Sequence, residues 1–101
     1  MNQRRPRYKD PKYLEWVREQ DCVVCGEKTQ TEEAAHIRME DADVGKPMTG
    51  MGTKPDDFYV LPLCNLHHQQ QHAVAEWAFW SRKKIDPVKT ALALYVEYKT
   101  R

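Results

Sequence analysis

Cys64-Asn65-Leu66-His67-His68-Gln69-Gln70-Gln71-His72 crowds one cysteine and three histidines into a single short run, and Cys22-Val23-Val24-Cys25 holds the other two cysteines. A Cys-x2-Cys knuckle joined to a Cys-x2-His knuckle offers the nitrogen and sulfur ligands of a closed tetrahedral zinc site. Cys22, Cys25, Cys64 and His67 are the ligands this spacing selects. One zinc leaves His68 and His72 unused, along with His36 between the two clusters. Those three histidines are the candidates for chemistry.

A chain of 101 residues is one domain, and at that size an apolar core alone is marginal. Structural zinc contributes on the order of 10–16 kcal/mol of apparent binding energy, which becomes folding energy because the unfolded chain has no preformed site. Three cysteines cannot all pair, and two stand at metal spacing, so an intracellular, cytoplasmic zinc protein is expected rather than a disulfide scaffold. The start, Met-Asn-Gln-Arg-Arg-Pro-Arg, is basic and lacks an apolar signal region, and no apolar run is long enough for a membrane. The net charge of +1 is unevenly spread: +4 over residues 1–18, −6 over 19–57 and +3 over 58–101. Basic ends around an acidic middle suit a polyanion partner and a cation-holding centre; a solvated surface with a basic tail explains the same pattern.

Working outward, Asp10-Pro11 pairs an N-cap with a proline at the first helical position, and Tyr13, Trp16, Val17 and Gln20 share a face. A helix is predicted over residues 10–20, behind a basic tail at 1–9. Asp86-Pro87 repeats the signal, and Val88, Ala91, Leu92, Tyr95 and Val96 form an apolar stripe, predicting a helix over 86–99. Residues 65–83 carry the longest helical pattern, with Leu66, Ala73, Val74, Trp77 and Trp80 on one side. His68, His72, Ala75 and Phe79 fall on the other, and two histidines four apart on a helix can hold one cation. Short strands are predicted over Glu33–Arg38 and Phe58–Leu63. The glycine-containing stretch from Met39 to Asp57 between them reads as a long loop. The expected fold is a small α+β domain with a zinc-knuckle core over 21–83.

In this order the chain resembles the HNH, or ββα-metal, endonucleases. The matching parts are Cys22-x2-Cys25, Ala35-His36-Ile37, the loop Gly50-Met-Gly52-Thr-Lys54-Pro55-Asp56-Asp57, and Pro62-Leu63-Cys64-x2-His67-His68. It looks in particular like the small phage and prophage members associated with recombination. The resemblance covers roughly residues 20–80. It implies a β-hairpin and helix that clasp a cation against a scissile phosphate, with His36 as general base and His68 and His72 as ligands of Mg²⁺, Mn²⁺ or Zn²⁺. It also matches Asp57 to the acidic position of the loop, where Asp57, or Asp56 beside it, is expected to serve catalysis by approaching the cation. Two departures stand out. Many members carry a metal ligand where this chain has Ala35, and many carry a base-orienting asparagine where it has about Tyr59.

Phosphodiester hydrolysis asks for these residue types on its own terms. A neutral imidazole takes a proton from water near working pH, a cation polarises the phosphoryl oxygen, and Lys54 or Arg38 can offset transition-state charge. Gly50-x-Gly52 is no nucleotide loop, since no Gly-Lys-Ser/Thr follows, and no organic cofactor is expected. The leading expectation is a metal-dependent DNA endonuclease or nickase whose phosphate contacts come from Arg4, Arg5, Arg7, Lys9, Arg82, Lys83 and Lys84. Ala35 and Tyr59 favour instead an inactive zinc-containing DNA-binding accessory module. A zinc-stapled protein-interaction domain would use Trp77, Phe79 and Trp80 as its contact surface.

Overall fold

Both Asp-Pro pairs start helices. In the computed structural model, which describes residues 7–49 and 54–101, α1 spans Pro11–Arg18 and α4 spans Pro87–Lys99. The Asp10 carboxylate accepts from the Tyr13 amide, and the Asp86 carboxylate accepts from the Lys89 amide. Each aspartate thus satisfies one of the amide donors that a helix start leaves unpaired. The basic residues Arg4 and Arg5 and the glycines Gly50 and Gly52 lie outside the described residues.

Between these helices, β1 (Glu33–His36) and β2 (Val60–Leu63) form an antiparallel pair, with Glu33 opposite Leu63 and His36 opposite Val60. The strands are shorter than predicted: Arg38 and Phe58 fall outside them, although the Ile37 amide still bonds to the Tyr59 carbonyl at 2.8 Å. Alternation along the hairpin sends Ala35, Leu61 and Leu63 into a core shared with Cys22, Cys64, Phe79, Trp80 and Val88. Val60, on the other face, packs with Tyr13 and Val17 of α1. There Tyr13 meets Tyr95 and Tyr98 of α4 at ring separations of 4.9 and 5.0 Å. Of the predicted α4 stripe, Val88 and Ala91 are buried, whereas Val96 is 59% exposed.

The predicted single helix over residues 65–83 is two helices, α2 (Asn65–Ala73) and α3 (Glu76–Lys83). Val74 is extended, with φ −134° and ψ 171°. Its turn delivers the Glu76 carboxylate to the end of the hairpin, where it accepts from the amides of Arg38 (3.0 Å) and Met39 (2.8 Å) and from Gln71 Nε2 (3.1 Å). The faces predicted for one continuous helix do not hold across this turn. Phe79 and Trp80 enter the core, while Leu66, Val74 and Trp77 stay exposed. Burying two aromatic rings at roughly 1.5–3 kcal/mol each outweighs the few helix hydrogen bonds lost, at roughly 1 kcal/mol each. Of the aromatics proposed for a protein partner, only Trp77 is on the surface. Glu76→Ala is expected to lower stability by about 1–3 kcal/mol, since it strips two backbone amides of their acceptor. Urea denaturation of the zinc-loaded protein checks this.

The loop from Met39 to Asp57 is more structured than predicted. A 3₁₀ turn at Ala42–Val44 ends at Gly45 (φ 71°), and Asp41 and Lys46 close it as a bridge. Lys46 is buried and donates to the carbonyls of Met39 and Pro47. No described helix is long and apolar enough to cross a membrane.

Candidate metal centre and histidine cleft

The knuckle at Cys22–Cys25 folds by turning on itself, with the Gly26 amide donating to the Cys22 carbonyl at 2.7 Å. Gly26 sits at φ 71°, the left-handed conformation that glycine adopts freely. The knuckle is tied to the hairpin by Val23, whose amide donates to the Pro62 carbonyl at 2.9 Å. Cys64 stands at the N-cap of α2, and one turn on, His67 reaches back toward it. Thr31 Oγ1 accepts from the Asn65 amide at 3.0 Å, fixing the start of this helix. The loop before β1 is in turn clasped by Glu32, which accepts from Lys28 Nζ and from the amides of Thr29 and Gln30. Against the cost of burial, the Lys28 ammonium and the hydroxyl and amide of Thr29 hold the Glu32 carboxyl down to about 2.

Cys22, Cys25, Cys64 and His67 converge with their ligand atoms all within 4.8 Å of one another. His67 Nδ1 lies 3.2 Å from Cys64 Sγ and 3.8 Å from Cys22 Sγ. A tetrahedral zinc with bonds of about 2.0–2.3 Å has ligand–ligand edges of roughly 3.5–3.8 Å, so the four atoms need only small adjustments. Burial opposes ionisation of Cys22, yet backbone amides of Cys25, Cys64 and Val24 outweigh it and lower the thiol below its ordinary value. Burial and the Lys83 charge lower the His67 pKa, favouring the neutral ring a metal requires. This cluster can hold a metal such as zinc.

Three histidines remain, as the sequence leads one to expect. On α2, His68 Nε2 and His72 Nε2 stand 3.1 Å apart, with ring centroids 4.7 Å apart. Neither ring is buried in the core. His36 lies across from them: it and His72 line the same cavity of about 170 Å³, together with Arg38, Gln71, Val74 and Glu76.

Asp57 has a different place from the one expected of a cation ligand. Its Oδ1 accepts from His36 Nε2 at 2.9 Å and from Arg7 Nη1 at 2.6 Å, and its Oδ2 accepts from the Asp10 amide at 2.8 Å. The residue is 2% exposed. With both oxygens engaged, Asp57 orients His36, and it does not present a vacant oxygen to the α2 histidines. Asp56 is similarly committed, accepting from the Tyr8 amide. Tyr59, aligned with the family's orienting asparagine, has its ring under the buried Lys46 ammonium instead. Ala35 is fully buried and offers no ligand.

Burial pulls the His36 pKa below its ordinary value despite the neighbouring carboxylate, and the charges of Arg7 and Lys54 pull the same way. For Asp57, burial is outweighed by His36, the Asp10 amide and Arg7, so its carboxyl titrates below the usual range. The pair is therefore a neutral imidazole on an ionised carboxylate. Nε2 carries the proton that Asp57 accepts, and Nδ1 keeps a lone pair. Lys54 is exposed on this side of the molecule, close enough for its charge to act on His36.

Residues 2–90 match the family described as Protein of unknown function (DUF968). The chain belongs to that family. It is also similar to the "Uncharacterized protein YdfU" of Escherichia coli (strain K12), at 38% identity over 69 residues. That match covers 68% of this chain but only 18% of the relative, so the chain spans less than a fifth of the relative's length. No solved structure matches the chain. The DUF968 match takes in the whole Cys₃His cluster and all three remaining histidines.

The sequence names His36, Lys54 and Asp57 as candidates, but it does not show what Arg7 does. Read as a phosphate contact, Arg7 instead braces Asp57 at 28% side-chain exposure. Nothing local announces a contact between residues 50 positions apart. Glu33 was also passed over, although it accepts from His68 Nδ1 at 2.5 Å. Strand alternation was the available signal, since Glu33 shares the Ala35 face of β1.

Proposed function

We propose that this chain is a metal-dependent DNA endonuclease or nickase of the HNH type, hydrolysing phosphodiester bonds. The observation that carries the reading is His36, held through Nε2 by a buried carboxylate and lining one cavity with His72 of the α2 histidine pair. In this reading His36 Nδ1 takes a proton from the attacking water, and Asp57 holds the ring and stabilises the imidazolium that results. His68 and His72 would hold Mg²⁺, Mn²⁺ or Zn²⁺, which would supply polarisation of the phosphoryl oxygen and stabilisation of the leaving group. Arg7, because it braces Asp57, keeps that carboxylate ionised. The Cys₃His cluster holds the structural zinc and fixes α2 against the hairpin.

Plasmid nicking by wild type and His36→Ala across Mg²⁺, Mn²⁺ and Zn²⁺ tests the reading. Cleavage by wild type that His36→Ala loses supports it. Buried Ala35 favours a second reading, because it leaves the cation two protein ligands: an inactive zinc-containing module that holds DNA. Tight DNA binding with no cleavage under any of the three metals selects that alternative.

Lys54→Ala is expected to reduce cleavage or DNA affinity by about 3–10-fold, as loss of one exposed phosphate contact should. Zinc content and melting temperature should stay at wild-type values, because Lys54 is exposed. Fluorescence anisotropy with a short duplex at two salt concentrations measures this. An unchanged salt slope would remove Lys54 from the interface.

A further inference from the structure

Glu33 Oε1 lies 2.5 Å from His68 Nδ1, a short charge-assisted hydrogen bond across 35 residues of sequence. An ionised carboxylate only accepts, so the proton of the His68 ring resides on Nδ1. Nε2 then carries the lone pair, and Nε2 is the atom that faces His72 Nε2 at 3.1 Å. Two nitrogens at bonds of about 2.1 Å span that separation when they meet a cation at roughly 95°. The side-chain exposures, 53% for Glu33 and 22% for His68, leave the pair open to solvent and to an entering ion.

We propose that Glu33 is a positioning residue for the α2 cation site: it selects the His68 tautomer that offers Nε2 to the metal and raises the basicity of that nitrogen. Carboxylates that accept from the far nitrogen of a metal-bound histidine act in this way, and their loss costs about 10–100-fold in metal affinity. Alternation explains why Glu33 can do so. It shares the strand face of Ala35, which is buried and bears no ligand, but stands two residues nearer the strand end, where the chain opens toward α2. The inference rests on the reading that His68 and His72 bind a cation.

The test uses the zinc-loaded 101-residue chain and two readouts that require no cleavage. Nitrogen-15 NMR of the histidine rings, without a second cation, reports the His68 tautomer. Wild type should show a single Nδ1-protonated form and Glu33→Ala a mixture, with Glu33→Gln between them, since its amide can offer Nδ1 either an acceptor or a donor. Free Mn²⁺ measured by EPR should show affinity reduced about 10–100-fold in Glu33→Ala, and less in Glu33→Gln. An unchanged tautomer in Glu33→Ala, or unchanged Mn²⁺ affinity alongside a lower melting temperature, would overturn the proposal and leave Glu33 a structural residue. The underlying cation reading fails separately, if wild type and His68→Ala bind Mn²⁺ equally. In that case the tautomer comparison still decides whether Glu33 sets the ring.

Discussion

Cys22→Ser should abolish the cooperative unfolding transition of this protein and its tightly held zinc together. Cys22 is fully buried in the core with Cys64, Leu63 and Trp80, so its sulfur is both a candidate ligand and a packing atom. A domain of this size is stable by about 5–15 kcal/mol in total, and structural zinc supplies about 10–16 kcal/mol of apparent binding energy. Removing one thiolate forfeits a large part of that and leaves the buried Cys64 sulfur without its cation. Elemental analysis of wild type should give about one tightly held zinc per chain, and chelation should reproduce the variant's loss of near-ultraviolet circular dichroism. His67→Ala should follow Cys22→Ser, whereas His68→Ala, on the outer turn of α2, should melt near wild type. A Cys22→Ser protein that folds with normal stability would end the assignment. A larger loss in His68→Ala than in His67→Ala would exchange the two histidines.

The parts of this fold that were legible in the sequence are those whose cause is local. Asp10-Pro11 and Asp86-Pro87 cap their helices with side chains three residues from the amides they bind. The knuckle spacings likewise carry their geometry within four residues. The break between α2 and α3 was not legible, because Ala73-Val74-Ala75-Glu76 contains no glycine or proline to announce it. Its cause lies 37 and 38 residues away, in the amides of Met39 and Arg38 that Glu76 satisfies. Counting helical phase through that unseen break puts Trp77 and Trp80 on one side and Phe79 on the other. The break instead buries Phe79 together with Trp80 and leaves Trp77 exposed.

The candidate site divides along the same line. The zinc ligands and the His68–His72 pair are spacing patterns, readable at three and four residues. The connections that orient the chemistry are tertiary. Asp57 holds His36 across 21 residues, and Arg7 braces Asp57 across 50. The family resemblance singles out Asp57 but turns it toward the cation, since an acidic residue near a metal site suggests ligation. Only the three donors already on its oxygens show it serving the histidine.

His36→Ala should reduce cleavage by about 10²–10⁴-fold, the usual contribution of a positioned general base, while leaving zinc content and DNA affinity nearly unchanged. In wild type the rate should fall on the acid side with a midpoint below 6.5, the ordinary histidine value, because burial lowers the His36 pKa and only the neutral ring accepts a proton. The neighbours fix the direction in which variants move that limb. Asp57 raises the His36 pKa and Arg7 lowers it, so Asp57→Asn should shift the limb to lower pH and Arg7→Ala to higher pH. Asp57→Asn should also slow cleavage at the plateau, since an amide can turn either an acceptor or a donor toward Nε2 and no longer selects one tautomer. These shifts separate a base held by a carboxylate from a histidine that merely packs beside one. A His36→Ala variant that still cleaves at the wild-type rate, or an acid limb indifferent to both Arg7 and Asp57, would remove His36 from the chemistry.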